Sequence, residues 1–163
     1  MPAQKKPYPA AIVKEVISSL TEEHAHAGFD SAVKKFPAAL RGRRPDGVPH
    51  SAWQLVEHIR IAQWDIIQYA LNPKHKSPEF PVGYWPKSPE PPNADSWDAA
   101  IKKYHADTKT LVAALQKSDI LAPIPHANNQ SLLAKIILLI DHNAYHVGQI
   151  IQIRNLLQIW PAK

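Results

Sequence analysis

The stretch Ser51-Ala52-Trp53-Gln54-Leu55-Val56-Glu57-His58-Ile59-Arg60-Ile61-Ala62-Gln63-Trp64, running on to Asn72-Pro73, decides the fold class. Ser51 and Gln54 form an S-x-x-Q pair: the serine side chain can accept the free amide at the third helical position while the glutamine reaches back to the cap. Ala52, Leu55, Ile59, Ala62, Ile66 and Ala70 then recur at the spacing of one helix face. Asn72-Pro73 ends the pattern, because proline disfavours helical backbone in the residue before it.

Three further segments carry the same periodicity. The first runs from about Pro9 to Phe36, with Ile12, Val13, Val16, Ile17 and Leu20 on one stripe, Gly28 as a kink or break and Pro37 as its end. Another starts at Asp95 or Ser96, both good caps, and carries Ile101, Tyr104, Thr108, Leu111, Val112 and Leu115 to Lys117, whose charge suits a helix C-terminus. The last begins near Asn129 and runs to about Gln158, with Leu132, Ile136, Leu139, Ile150 and Leu157 inward and Pro161 closing it. With no period-2 runs, this predicts an all-α four-helix bundle.

Residues 73–92 hold seven of the 16 prolines together with Phe80, Tyr84 and Trp85. A connection this long without secondary structure is either a lid or a stiff connector that crosses the bundle end and packs its aromatics on the core.

At 163 residues, with 45% hydrophobic and 20% charged, the chain can bury one continuous core, so a single domain over residues 1–163 is expected. Zero cysteines exclude disulfides, cysteine zinc sites and thiol nucleophiles from the protein. Lys14 and Glu15 interrupt the apolar start before a signal peptide can form, and the longest clean apolar run, Ile136–Ile140, is too short for a membrane span. A cytoplasmic protein is the simplest expectation. The net charge of +5 and the cluster Arg41, Arg43, Arg44 downstream of Lys34 and Lys35 allow an anion or nucleic-acid surface. No aromatic interleaving or DNA-reading motif accompanies these charges, so no nucleic-acid partner is expected.

Three of the nine histidines stand apart. His142 and His146 project from one helix face one turn apart, a spacing by which two imidazoles can grip one ion, although such a pair is weak evidence alone. Leu138, Leu139, Gln149, Ile153, Leu156 and Leu157 share their side of the helix, so the pair is expected to point inward. His58 sits beside Leu55 and Ala62 at the border of the other apolar stripe. Buried imidazoles must find partners, so these three are either metal ligands or core histidines bonded to hydroxyls, amides or each other. Three neutral imidazoles would leave a coordination position for water or substrate. Asp65, two turns from His58, and Gln149, near one turn beyond His146, are the natural hydrogen-bond partners of ligand imidazoles or bound water; polar lining is their bland alternative. His24 and His26 lie on the expected first helix, where one could face the same cavity. His50, His75, His105 and His126 are expected mostly in solvent.

At these residues the chain resembles the DinB/YfiT-like superfamily. The resemblance lies in residues 51–64, with one histidine, and in Asp141-His142-Asn143-Ala144-Tyr145-His146-Val147-Gly148-Gln149-Ile150 followed by Arg154, an H-x-x-x-H-x-x-G-Q pattern. Phe80-Pro81-Val82-Gly83-Tyr84-Trp85-Pro86 is similar to the loop of a subgroup. The resemblance implies a four-helix bundle in which His58, His142 and His146 hold one divalent metal ion, most often nickel or zinc. It also implies a small-molecule substrate and a homodimer; that no membrane partner is expected rests on the short apolar runs alone. Relatives of this kind include transferases or isomerases that use a low-molecular-weight thiol such as bacillithiol or mycothiol, and metal-dependent hydrolases.

Two functions follow as expectations. One is a metal-dependent transferase or hydrolase that activates a thiol or water for attack on a small electrophile. The other is a non-catalytic metal-binding or stress-response module. Borderline imidazole ligands leave the metal open.

Overall fold

The computed structural model describes residue 8 and residues 10–161. Five α-helices are present among them: α1 (Ala10–Thr21), α2 (Phe29–Val33), α3 (Ala52–Leu71), α4 (Ser96–Lys117) and α5 (Leu132–Leu156). No strand occurs among the described residues, and none of the helices is long and apolar enough to cross a membrane. The four longer helices make the bundle. α3 packs against α4 and α5, α1 fits against the same two, and α2 docks on α5.

The capping box at Ser51 and Gln54 forms in both directions, and α3 ends at Leu71 before Asn72-Pro73. The expected first helix is broken, and its expected start at Pro9 lies outside the described residues. The Glu23 carboxylate accepts the Gly28 N–H at 2.9 Å, an alternative to a helical bond, and Gly28 is extended. Restarting at Phe29 lets that ring stack on Tyr104 with centroids 4.0 Å apart. The last helix begins at Leu132, capped by Ser131, later than Asn129; Asn128 and Asn129 instead take the left-handed conformation in the preceding turn.

Two clusters of the core reveal the helix directions. Trp53, Leu55, Val56 and Ile59 of early α3 share one cluster with Trp97, Ala100 and Tyr104 of early α4 and with Val147, Ile150 and Ile153 of late α5. Ile67 and Ala70 of late α3 meet Leu111 and Leu115 of late α4 and Leu132, Ile136 and Leu139 of early α5. Helices α3 and α4 are therefore parallel, and α5 is antiparallel to both. The chain leaving α3 must travel back along a 20-residue helix, roughly 30 Å, before α4 can begin.

Residues 72–95 do this as a strap laid along α3, so the expected crossing of the bundle end is not what occurs. The contacts run in reverse register: His75 on Asp65, Tyr84 on His58, Pro86 on Gln54 and Pro89 on Ser51. Its aromatics also divide. Tyr84 and Trp85 pack inward, while Phe80 is 84% exposed.

Arg154 ties the chain end to the bundle. Its buried guanidinium donates to the carbonyls of Ala32, Lys34 and Ile159 and lies over the rings of Phe36 and Trp160.

Candidate metal centre

α3 supplies His58 to the seam with α5, and α5 supplies His142 and His146 one turn apart. The antiparallel packing sets all three at one level. His58 Nε2 lies 3.1 Å from His142 Nε2 and 3.1 Å from His146 Nε2. One nitrogen of each ring falls within 4.8 Å of the others, and among the described residues the group has these three members.

The other ring nitrogens point outward. His58 Nδ1 donates to the Tyr84 carbonyl at 3.0 Å, and His146 Nδ1 donates to Gln149 Oε1 at 2.7 Å. His142 Nδ1 faces Asn143 Oδ1 at 3.4 Å. A carbonyl can only accept, so the proton of neutral His58 is on Nδ1 and its Nε2 is a bare lone pair. The same polarity at His142 and His146 leaves three lone pairs converging on one point, where they repel unless something positive lies between them.

Two of the three separations suit a metal ion at that point. Nitrogens bound to one ion at about 2.0–2.1 Å lie roughly 2.9–3.4 Å apart for angles between about 90° and tetrahedral, and both observed 3.1 Å separations fall in this interval. Burial holds His58 down to about 4, helped by His146 and His142 and opposed by the bond to Tyr84. Burial also lowers His142 and His146 below 6.5. All three are neutral at pH 7, as ligands must be. The three histidines could hold a metal ion.

The strap forms one wall of the site. Trp85 lies flat on His58 with centroids 3.8 Å apart and planes 4° apart, and His50 stacks on Trp85 at 4.0 Å. Asp65 makes no bond to the three imidazoles. Its oxygens bond His75 Nε2 and the Tyr84 hydroxyl, each at 2.7 Å, so it acts on the strap whose carbonyl meets His58. Burial, then Asp65, pushes the Tyr84 hydroxyl up to about 12, and it stays a donor.

Several expectations need correction. Leu138 and Leu156, expected on the inward side of the last helix with the histidines, are 49% and 51% exposed. α5 is apolar on so much of its circumference that periodicity could not separate its faces. His24 and His26 are not helical; they line a separate cavity of about 790 Å³ between α1, α4 and α5, with Leu139, Asn143 and Val147 on the α5 side. Of the histidines expected in solvent, His126 is exposed, but His50 stacks on Trp85, His75 is held by Asp65 and His105 pairs with Asp30.

Sequence reasoning also missed Gln63 and Asn143, both buried beside the site. The available signal was an amide within the apolar stripe of α3 and another next to His142.

An all-helical bundle carrying three convergent histidines on two antiparallel helices defines a class of helical proteins that could hold a metal ion in the bundle. The family model of the DinB superfamily matches residues 21–150, most of the chain, and the chain belongs to that superfamily. No curated protein and no solved structure gives a match.

Proposed function

We propose that this protein is a metal-dependent transferase or hydrolase in which His58, His142 and His146 bind one divalent ion, zinc or nickel. The observation that carries the reading is the convergence of three Nε2 atoms whose Nδ1 partners all face outward. Three protein ligands leave coordination positions for an exogenous group. Bound there, the ion would lower the pKa of a coordinated thiol or water and make it a nucleophile near neutral pH.

The chain's own residues do the rest. Gln149 holds the His146 ring by its Nδ1 proton, and the Tyr84 carbonyl holds His58. Trp85 covers one face of His58 and excludes water from it. Asp65 anchors the strap that delivers Tyr84 and Trp85. The substrate class is a small electrophile, attacked by a low-molecular-weight thiol or by water.

Metal analysis of protein purified without an affinity tag tests the site. One equivalent of metal is expected, and its loss in His58→Ala, His142→Ala and His146→Ala; unchanged metal in all three variants would overturn the reading. Consumption of an electrophilic substrate that depends on added Zn²⁺ or Ni²⁺, with thiol or without, tests the activity. Chelation that lowers the melting temperature without any turnover would point to the non-catalytic module instead.

A further inference from the structure

Behind His142, a chain of buried amides runs from α5 through α3 to α4, and its polarity is fully determined. Gln63 Nε2 lies 2.9 Å from the Tyr104 carbonyl and 3.1 Å from Thr108 Oγ1. Thr108 donates its own proton to the Tyr104 carbonyl at 3.0 Å, so its oxygen accepts from Gln63. Both Gln63 amide protons are thereby used, and its Oε1 must face the other way. There it meets Asn143 Nδ2 at 3.0 Å, which forces Asn143 Oδ1 toward His142 Nδ1, 3.4 Å away. Turning either amide over would set like against like in a site where Gln63 is 1% and Asn143 7% exposed.

We propose that Gln63 and Asn143 are positioning residues for the metal centre: they transmit the acceptor polarity of the Tyr104 carbonyl to His142, keeping its proton on Nδ1 and its Nε2 free for an ion. The role rests on the metal reading of the three histidines. It explains two buried amides on core helices where apolar side chains would pack as well. The last link is the longest, so the relay acts by choosing the tautomer more than by gripping the ring.

Two-bond ¹H–¹⁵N correlation spectra of the metal-free protein above pH 7 report the tautomer directly. Wild-type His142 is expected with its proton on Nδ1. Gln63→Leu leaves Asn143 with the Tyr104 hydroxyl, which accepts or donates equally well and so lets the amide turn; the His142 proton then spreads over both nitrogens and Zn²⁺ affinity, read by chelator competition, falls about 10- to 100-fold. Gln63→Glu keeps an acceptor toward Asn143 and should retain the Nδ1 proton, with Zn²⁺ affinity within a few-fold of wild type. A purely structural role would lower the melting temperature in both variants without moving the tautomer.

Finding the wild-type proton on Nε2, or a Gln63→Leu spectrum that matches wild type, would overturn the proposal. The first result needs no variant to fold. An Nδ1 proton in a wild-type protein that binds no Zn²⁺ would instead overturn the metal reading and leave the relay standing.

Discussion

His58 and Trp85 lie ring on ring, 3.8 Å between centroids and 4° between planes, although one comes from the middle of α3 and the other from a strap that contains no α-helix. Burying one face of an imidazole under an indole fixes the ring plane and lowers the local dielectric. The strap is thus part of the histidine site and not only a link between helices.

Replacing Trp85 removes that cover. Trp85→Ala should lower stability by about 2 kcal/mol, from lost packing and ring stacking, measured by urea unfolding. In wild type, Ni²⁺ should quench tryptophan emission, and Trp85→Phe should abolish the larger part of the quench. A quench of equal depth in Trp85→Phe would show that the ion binds elsewhere.

Stability of the metal-free protein should fall on acidification. The folded-state value of His58 is depressed to about 4 from 6.5, and His142 and His146 are shifted the same way. Between those values the unfolded chain binds more protons than the folded one, so stability rises with pH through the window and levels off above about pH 6.5. Each fully depressed group contributes a slope of at most about 1.4 kcal/mol per pH unit, and solvent contact reduces it. Urea midpoints from pH 4.5 to 7.5 measure it, and His58→Ala should flatten the curve. A curve unchanged in His58→Ala would remove His58 as its source.

Asp65→Asn tests the anchor of the strap. The amide puts a donor where one carboxylate oxygen stood, so either the Tyr84 hydroxyl or His75 must reverse its role and both charge-assisted bonds are lost, at a cost of about 1–3 kcal/mol. Residues 72–95 should then become more sensitive to limited proteolysis than the helices. Cleavage at the wild-type rate would show that the other strap contacts, at Gln54 and Ser51, suffice.

Arg154→Lys should behave as a loss and not as a conservative change. An ammonium cannot span the carbonyls of Ala32, Lys34 and Ile159 or lie flat on Phe36 and Trp160. A loss of about 3 kcal/mol is expected in thermal or urea unfolding, with zinc stoichiometry retained. A drop in metal content at full stability would mean that Arg154 serves the metal site.

The parts legible in the sequence were local. The Ser51–Gln54 box, the stripe along α3 and the stop at Asn72-Pro73 each depend on residues within a turn or two, and each formed as read. The break after Thr21 was harder to place, because it trades helical bonds for a Glu23–Gly28 contact and a distant stack of Phe29 on Tyr104. Asp65 was singled out from its side of α3, yet its partners, His75 and Tyr84, stand on a segment with no period to read.

Periodicity and capping were enough to declare helices, and to set three imidazoles on two of them, since a helix position follows from its neighbours within four residues. Only the tertiary structure decided that α3 and α4 run parallel, that the strap must return along α3 and stack Trp85 on His58, and that Gln63 meets Asn143 80 positions away. Those contacts depend on how far one helix slides and turns against another. That is set by the packing of the whole core, and no local pattern of residues contains it.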